Sequence, residues 1–160
     1  MGKKSWVTSI ISSVFVLFFI YYAYSYVKSL DNCNCVSFLR DNIDNIKKIE
    51  LFLICIQVIG IVMNIGTYIF GFDVDKFAKS NYKPMIVFLG IYLIVLVTIL
   101  INFIYNVYEF GKHIPKDCDC ADKWQRDILY IQAVIYSFSS LSIVILLGYG
   151  FYIGVRPKQK

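Results

Sequence analysis

Four of the five cysteines in this 160-residue chain stand as two Cys-x-Cys pairs, Cys33/Cys35 and Cys118/Cys120. Thiols in that number and pairing support three chemistries. Two disulfides between the segments would clamp them together, and closing a loop of about 85 residues is worth about 4 kcal/mol in the chain-entropy model. A bridge inside one Cys-x-Cys is disfavoured because so short a loop strains it. Four thiolates would also satisfy tetrahedral zinc if the segments meet on a reducing side, and His113, five residues before Cys118, is placed to replace one ligand. A pair that exchanges with a partner thiol would instead make a redox enzyme. The clamp is the leading expectation; no resident metal or cofactor and no catalytic residue is assigned. Cys55 stands alone in an apolar run and reads as a small buried hydrophobe.

The elements that carry these cysteines are written in the apolar pattern. The chain is 58% hydrophobic and 18% aromatic, with a mean hydropathy of +0.62, whereas soluble domains run at about 45–50% apolar. The apolar residues form four blocks, about 6–27, 51–72, 84–108 and 128–154, without a charge inside them. Each has the roughly 20 residues needed to cross a hydrocarbon core as helix, and none alternates as a barrel strand would. The expectation is an all-α membrane protein, one domain over residues 1–160, built as a four-transmembrane-helix bundle in a lipid bilayer. The first block exceeds a signal-peptide core and is read as a retained span. A soluble domain is excluded. The net charge of +5 is scattered over loops and tails rather than gathered in a groove, so no nucleic-acid partner is expected.

Four spans put loops 28–50 and 109–127, with all four paired cysteines, on one side. The termini and loop 73–83 share the other. Lys3, Lys4, Lys76, Lys79, Lys83, Arg156, Lys158 and Lys160 stand against Lys28, Arg40, Lys47, Lys48, Lys112, Lys116, Lys123 and Arg126. This tie leaves the positive-inside rule silent, and the termini are taken as cytosolic without its support. The basic ends would rest on anionic lipid or an acidic partner.

The two cysteine loops resemble each other. Asp31-Asn32-Cys33-Asn34-Cys35 leads through Phe38-Leu39-Arg40-Asp41 into the second span, and Asp117-Cys118-Asp119-Cys120 leads through Trp124-Gln125-Arg126-Asp127 into the fourth. With one inserted residue the pattern is Cys-x-Cys, then aromatic-x-Arg-Asp, then a helix. It predicts two similar helical hairpins in the same orientation. Val36, Leu39, Ile43, Ile46 and Ile49 recur at helical spacing, so the second helix should start near Ser37 and run about three turns outside the lipid. Asp119 is a candidate N-cap for the fourth helix, and Trp124 and Tyr130 suit an interfacial aromatic belt.

No Asp, Glu, Lys, Arg or His falls deep in a block, which argues against a charge-coupled transporter. Polar residues do recur along the helices: Gln57, Gly60 and Asn64 in the second, Gly90, Thr98, Asn102 and Asn106 in the third, Gln132 in the fourth. The plainer reading is helix packing, in which small and amide residues let helices approach and hydrogen-bond. The alternative is a small channel, a homo-oligomer with Gln57, Asn64, Thr98, Asn102, Asn106 and Gln132 lining a polar path.

Two resemblances follow from these residues. Four spans with a cysteine pair on each of two same-side loops are similar in layout to the bacterial membrane oxidases that regenerate disulfides and to the vitamin K epoxide reductase family. That layout implies a thiol–disulfide oxidoreductase, although those families centre on a Cys-x-x-Cys pair that this chain lacks. The stretch Asp117-Cys118-Asp119-Cys120-Ala121-Asp122-Lys123-Trp124-Gln125-Arg126-Asp127 resembles a segment of small multi-span membrane proteins of nucleocytoplasmic large DNA viruses, where Cys-x-Cys is followed by Trp-x-Arg and an apolar helix. The first copy departs from it, with Phe38 in the Trp position. The resemblance implies a structural, scaffolding component of a virion's internal membrane that contacts the capsid or other membrane proteins.

Overall fold

The computed structural model describes residues 3–70, 82–115, 117–121 and 123–155. Loop residues 73–81, the tail from Arg156 and the side chains of Lys3, Lys4 and Thr67 lie outside what is described. Helix α1 spans Lys3–Ser29, α2 Arg40–Phe70, α3 Tyr82–His113 and α4 Trp124–Val155. Two 3-10 segments, Leu30–Asn32 and Asn34–Leu39, join α1 to α2. No strand occurs among the described residues. Four stretches, Val7–Asn32, Asn34–Gly66, Val87–His113 and Trp124–Tyr149, are long and apolar enough to cross a membrane. The protein is a four-helix, multi-pass integral membrane protein. Helices suit these residues because in hydrocarbon each backbone N–H and C=O must be paired within its own segment.

The helices pack in cyclic order: α1 lies on α2 and α4, and α3 also lies on α2 and α4. They are longer than a bilayer requires. Helix α2 has 31 residues and α3 and α4 have 32 each, so at about 1.5 Å per residue they reach about 46–48 Å against a hydrocarbon core of about 30 Å. The excess corresponds to the end that carries the cysteines. Arg40, Asp41, Asp44, Lys47 and Lys48 on α2, Glu109 and Lys112 on α3, and Arg126 and Asp127 on α4 all sit there.

The core is concentrated at that same end. Tyr26, Val27, Leu30, Val36, Ile43, Ile46, Phe103, Phe110, Ala121 and Leu129 are buried in one cluster with Cys33 and Cys118. A small second cluster of Ile20, Leu53 and Leu100 lies beside it. Beyond these, Val14, Ile59, Val62, Val87, Ile94, Val144 and Leu146 face outward. The asymmetry has a solvent cause. Outside the bilayer, burying apolar surface is favourable; inside it, lipid tails are as apolar as a neighbouring helix and provide no such drive.

The expected helical face holds: Val36, Leu39, Ile43 and Ile46 are buried and Ile49 is packed against them. Helix α2 itself starts at Arg40, three residues after Ser37, because Asn34–Leu39 winds as 3-10 helix. Three other expectations are corrected. Helix α4 starts at Trp124, five residues past Asp119, so Asp119 does not occupy its cap position. Cys55 is exposed on the outside of the bundle, where the lipid-facing surface accepts a small apolar thiol. The predicted small-residue contacts are also absent at Gly60 and Gly90, where an added Cβ would meet nothing within 4 Å. The close approach occurs at Gly111 of α3 instead, where a Cβ would lie 3.0 Å from the Tyr130 hydroxyl of α4.

Candidate functional site

The two cysteine loops meet over the packed end of the bundle. Cys33 pairs with Cys120 and Cys35 with Cys118, each with Cα atoms 6.0 Å apart, within the ordinary span of a disulfide. The pairing is crossed, so the first cysteine of each motif bonds the second of the other. All four sulfurs lie within 4.8 Å of one another. Contacts between sulfurs of different bridges run from 3.1 to 3.8 Å.

The two copies of the motif fold alike. In the first, the Val36 N–H donates to the Cys33 carbonyl at 3.3 Å; in the second, the Ala121 N–H donates to the Cys118 carbonyl at 2.9 Å. Cys33 and Val36 are buried, as are Cys118 and Ala121, and the residue after each first cysteine is exposed. The aromatic that follows also behaves alike, Phe38 being 64% exposed and Trp124 61%. Each turn thus buries the motif's first cysteine and holds its second toward solvent: Cys35 is half-buried and Cys120 exposed.

Further contacts brace the loops. The buried Tyr26 hydroxyl of α1 donates to the Ala121 carbonyl at 2.8 Å, tying the first hairpin to the second loop. Tyr22 packs its ring on Trp124 at 5.8 Å between centroids. Lys47 on α2 bridges Asp31 of the first loop at 2.9 Å and Asp44 of its own helix at 2.9 Å. Those ion pairs are largely exposed and screened by solvent, so they add little to stability. The Tyr26 hydrogen bond is buried, and Tyr26→Phe should destabilise the protein by about 1–2 kcal/mol, measured as a shift of the unfolding midpoint in detergent.

The amide residues do not converge on a single stripe. Asn106 is buried, and its Oδ1 accepts from Asn42 and Asn45 of α2 at 3.3 and 3.4 Å. Its Nδ2 donates to the Asn102 carbonyl at 2.8 Å. Gln57 donates to the Ser13 carbonyl of α1 at 3.0 Å. Asn64 and Thr98 bond back to Gly60 and Ile94 of their own helices. Gln132 donates to Glu50 of α2 at 3.1 Å and to the Tyr136 hydroxyl at 2.8 Å. Three of the six thus join helices (Gln57, Asn106 and Gln132), and Thr98 and Asn102 are exposed.

Sequence reasoning missed Asn42, Asn45 and Glu50. All three precede the apolar block and read as loop or solvated helix. The signal that could have found Glu50 is the helical row itself, since Glu50 lies four residues beyond Ile46 and seven beyond Ile43. His113 bonds Glu109 in its own helix and is not among the clustered cysteine ligands.

Chemically the four-sulfur cluster supports two states. Paired, it is a double covalent link between hairpins. Reduced, it is four thiols close to the roughly 3.8 Å sulfur spacing of a tetrahedral zinc site with Zn–S near 2.3 Å. Compared with known proteins, the chain matches no family model, no curated protein and no solved structure.

Proposed function

We propose that this protein is a membrane scaffold in which a double disulfide locks two helical hairpins into one rigid, outward-projecting end. The observation that carries this reading is the crossed pairing of Cys33 with Cys120 and Cys35 with Cys118 directly over the buried cluster. A clamp placed there joins loops that are already held by Tyr26 and by apolar packing. The exposed aromatics Phe38 and Trp124 border the same end and suit contact with a partner or a headgroup layer. With the similarity of the 117–127 segment to viral membrane proteins, the proposed setting is the internal membrane of a virion, the projecting end meeting the capsid.

The oxidoreductase is the second reading, favoured by the exposure of Cys120 and the mutual proximity of four sulfurs. The space directly beside the cysteines is small, and a larger cavity, about 460 Å³, opens between α3 and α4 along Val107, Gly111 and Tyr130. The cavity beside Cys33, lined by Leu30, Val36, Arg40 and Ile43, measures about 40 Å³, room for little more than a water.

The test is the state of the four cysteines. Protein alkylated during extraction from its membrane should yield peptides linked Cys33–Cys120 and Cys35–Cys118, with only Cys55 labelled. The bridges should resist redox buffers down to about −300 mV. Exchange near about −200 mV would instead establish the oxidoreductase, and free thiols with bound zinc would replace both readings.

A further inference from the structure

Glu50 is the group that neither clamp nor scaffold uses. It sits on α2 where the projecting end passes into the apolar block, and it is 0% exposed. One carboxylate oxygen accepts a hydrogen bond from Gln132 Nε2 at 3.1 Å. The other oxygen has no partner, and neither do Gln132 Oε1 and the buried Ser140 hydroxyl further along the same face of α4. Among the described residues no Lys, Arg or His pairs with Glu50. The titratable neighbour is Tyr136, whose hydroxyl accepts the second hydrogen of Gln132 Nε2 and whose ring packs against Ile20, Leu53 and Leu100 of α1, α2 and α3.

A bare carboxylate held by one neutral amide in such a place is strongly disfavoured, because desolvation of the charge is not repaid by a partner. Membrane-buried acids persist where something positive completes them. Beside the carboxylate the unmatched groups are acceptors, Glu50 Oε1 and Gln132 Oε1, and the Ser140 hydroxyl lies about two turns further along α4. Exchanging the Gln132 amide oxygen and nitrogen, which are assigned from their surroundings, would give the Tyr136 hydroxyl an acceptor and leave the charge of Glu50 as it was. The shortfall is therefore one positive charge, whichever way the amide points.

We propose that Glu50, Gln132 and Tyr136 form a binding site for one monovalent cation, a proton or an alkali-metal ion, at the interface of the two hairpins. As a proton it converts Glu50 to the acid, which then donates a hydrogen bond. As an alkali ion it is held by Glu50 together with the Gln132 amide oxygen and the Tyr136 hydroxyl oxygen. Either occupant removes the uncompensated charge and links ion occupancy to the packing of α2 on α4.

The full chain in lipid nanodiscs would be studied by infrared difference spectroscopy, wild type minus Glu50→Gln, in choline, sodium and potassium salts. Glu50→Gln keeps the shape and removes the charge, and its cross-loop disulfides report that it has folded. A carboxylic-acid carbonyl band that shifts in D2O and is present in all three salts identifies the proton. A band present in choline and lost in sodium or potassium identifies the alkali ion. A difference spectrum with only a carboxylate band, unchanged by the salt, overturns the proposal. Should Glu50→Gln not fold, dicyclohexylcarbodiimide decides on the wild type. It takes up a protonated carboxyl, whose proton moves to nitrogen as the acyl oxygen bonds carbon, and rearrangement leaves an N-acylurea that mass spectrometry maps. Modification at Glu50 in choline supports the site, and loss of modification in sodium or potassium names the ion. An unmodified Glu50 in every salt overturns it.

Discussion

Replacing all four loop cysteines with serine is expected to cost far more than removing both members of either bridge. The bridges run side by side, with sequence separations of 87 and 83. Whichever forms first closes a loop of about 85 residues, worth about 4–5 kcal/mol in the chain-entropy model, and the other then closes a loop of only about six, worth about 2. Cys33→Ser with Cys120→Ser, or Cys35→Ser with Cys118→Ser, should therefore lower stability by about 2 kcal/mol each, and all four together by about 6–7. These are upper values, because helices that stay inserted after unfolding leave the open chain less entropy to lose. Denaturant titrations followed by circular dichroism would give the three values. Equal and additive costs would mean that the two bridges act on separate parts of the chain, which the shared sulfur cluster contradicts.

The second large effect is expected at Phe110. Its side chain is fully buried in the last turns of α3, in the cluster that includes Cys33, Cys118 and Leu129. At this end water, not lipid, is the alternative environment, so Phe110→Ala loses transfer free energy and leaves a cavity, together about 3–5 kcal/mol. Leu146→Ala provides the contrast. Leu146 is 67% exposed near the opposite end of α4, and its truncation should change stability by less than about 0.5 kcal/mol. Unfolding of both variants under one denaturant compares them directly. Similar costs at the two sites would mean that the protein is held together along its whole length, contrary to the one-ended core described above.

Much of this architecture is legible in the chain. Apolar blocks of more than 20 residues admit only helices in hydrocarbon, so the four spans follow from composition and length. The same-side placement of the cysteine loops follows from counting crossings. The buried row Val36, Leu39, Ile43 and Ile46 follows from helical spacing, and the likeness of the two Cys-x-Cys turns was visible as a repeated pattern. Glu50 and the amides Asn42 and Asn45 were not legible in this way. A charge at the edge of an apolar block reads as solvated, because its burial depends on what the neighbouring helices place over it.

The sequence by itself thus determined which segments enter the membrane and which residues could bridge, since both depend on local composition and on the parity of crossings. Only the tertiary structure decided which cysteine bonds which, why Cys55 and Gly60 face outward, and where the core lies. Each of those depends on how four helices meet, and the meeting is strongest at the end where water rather than lipid is the solvent.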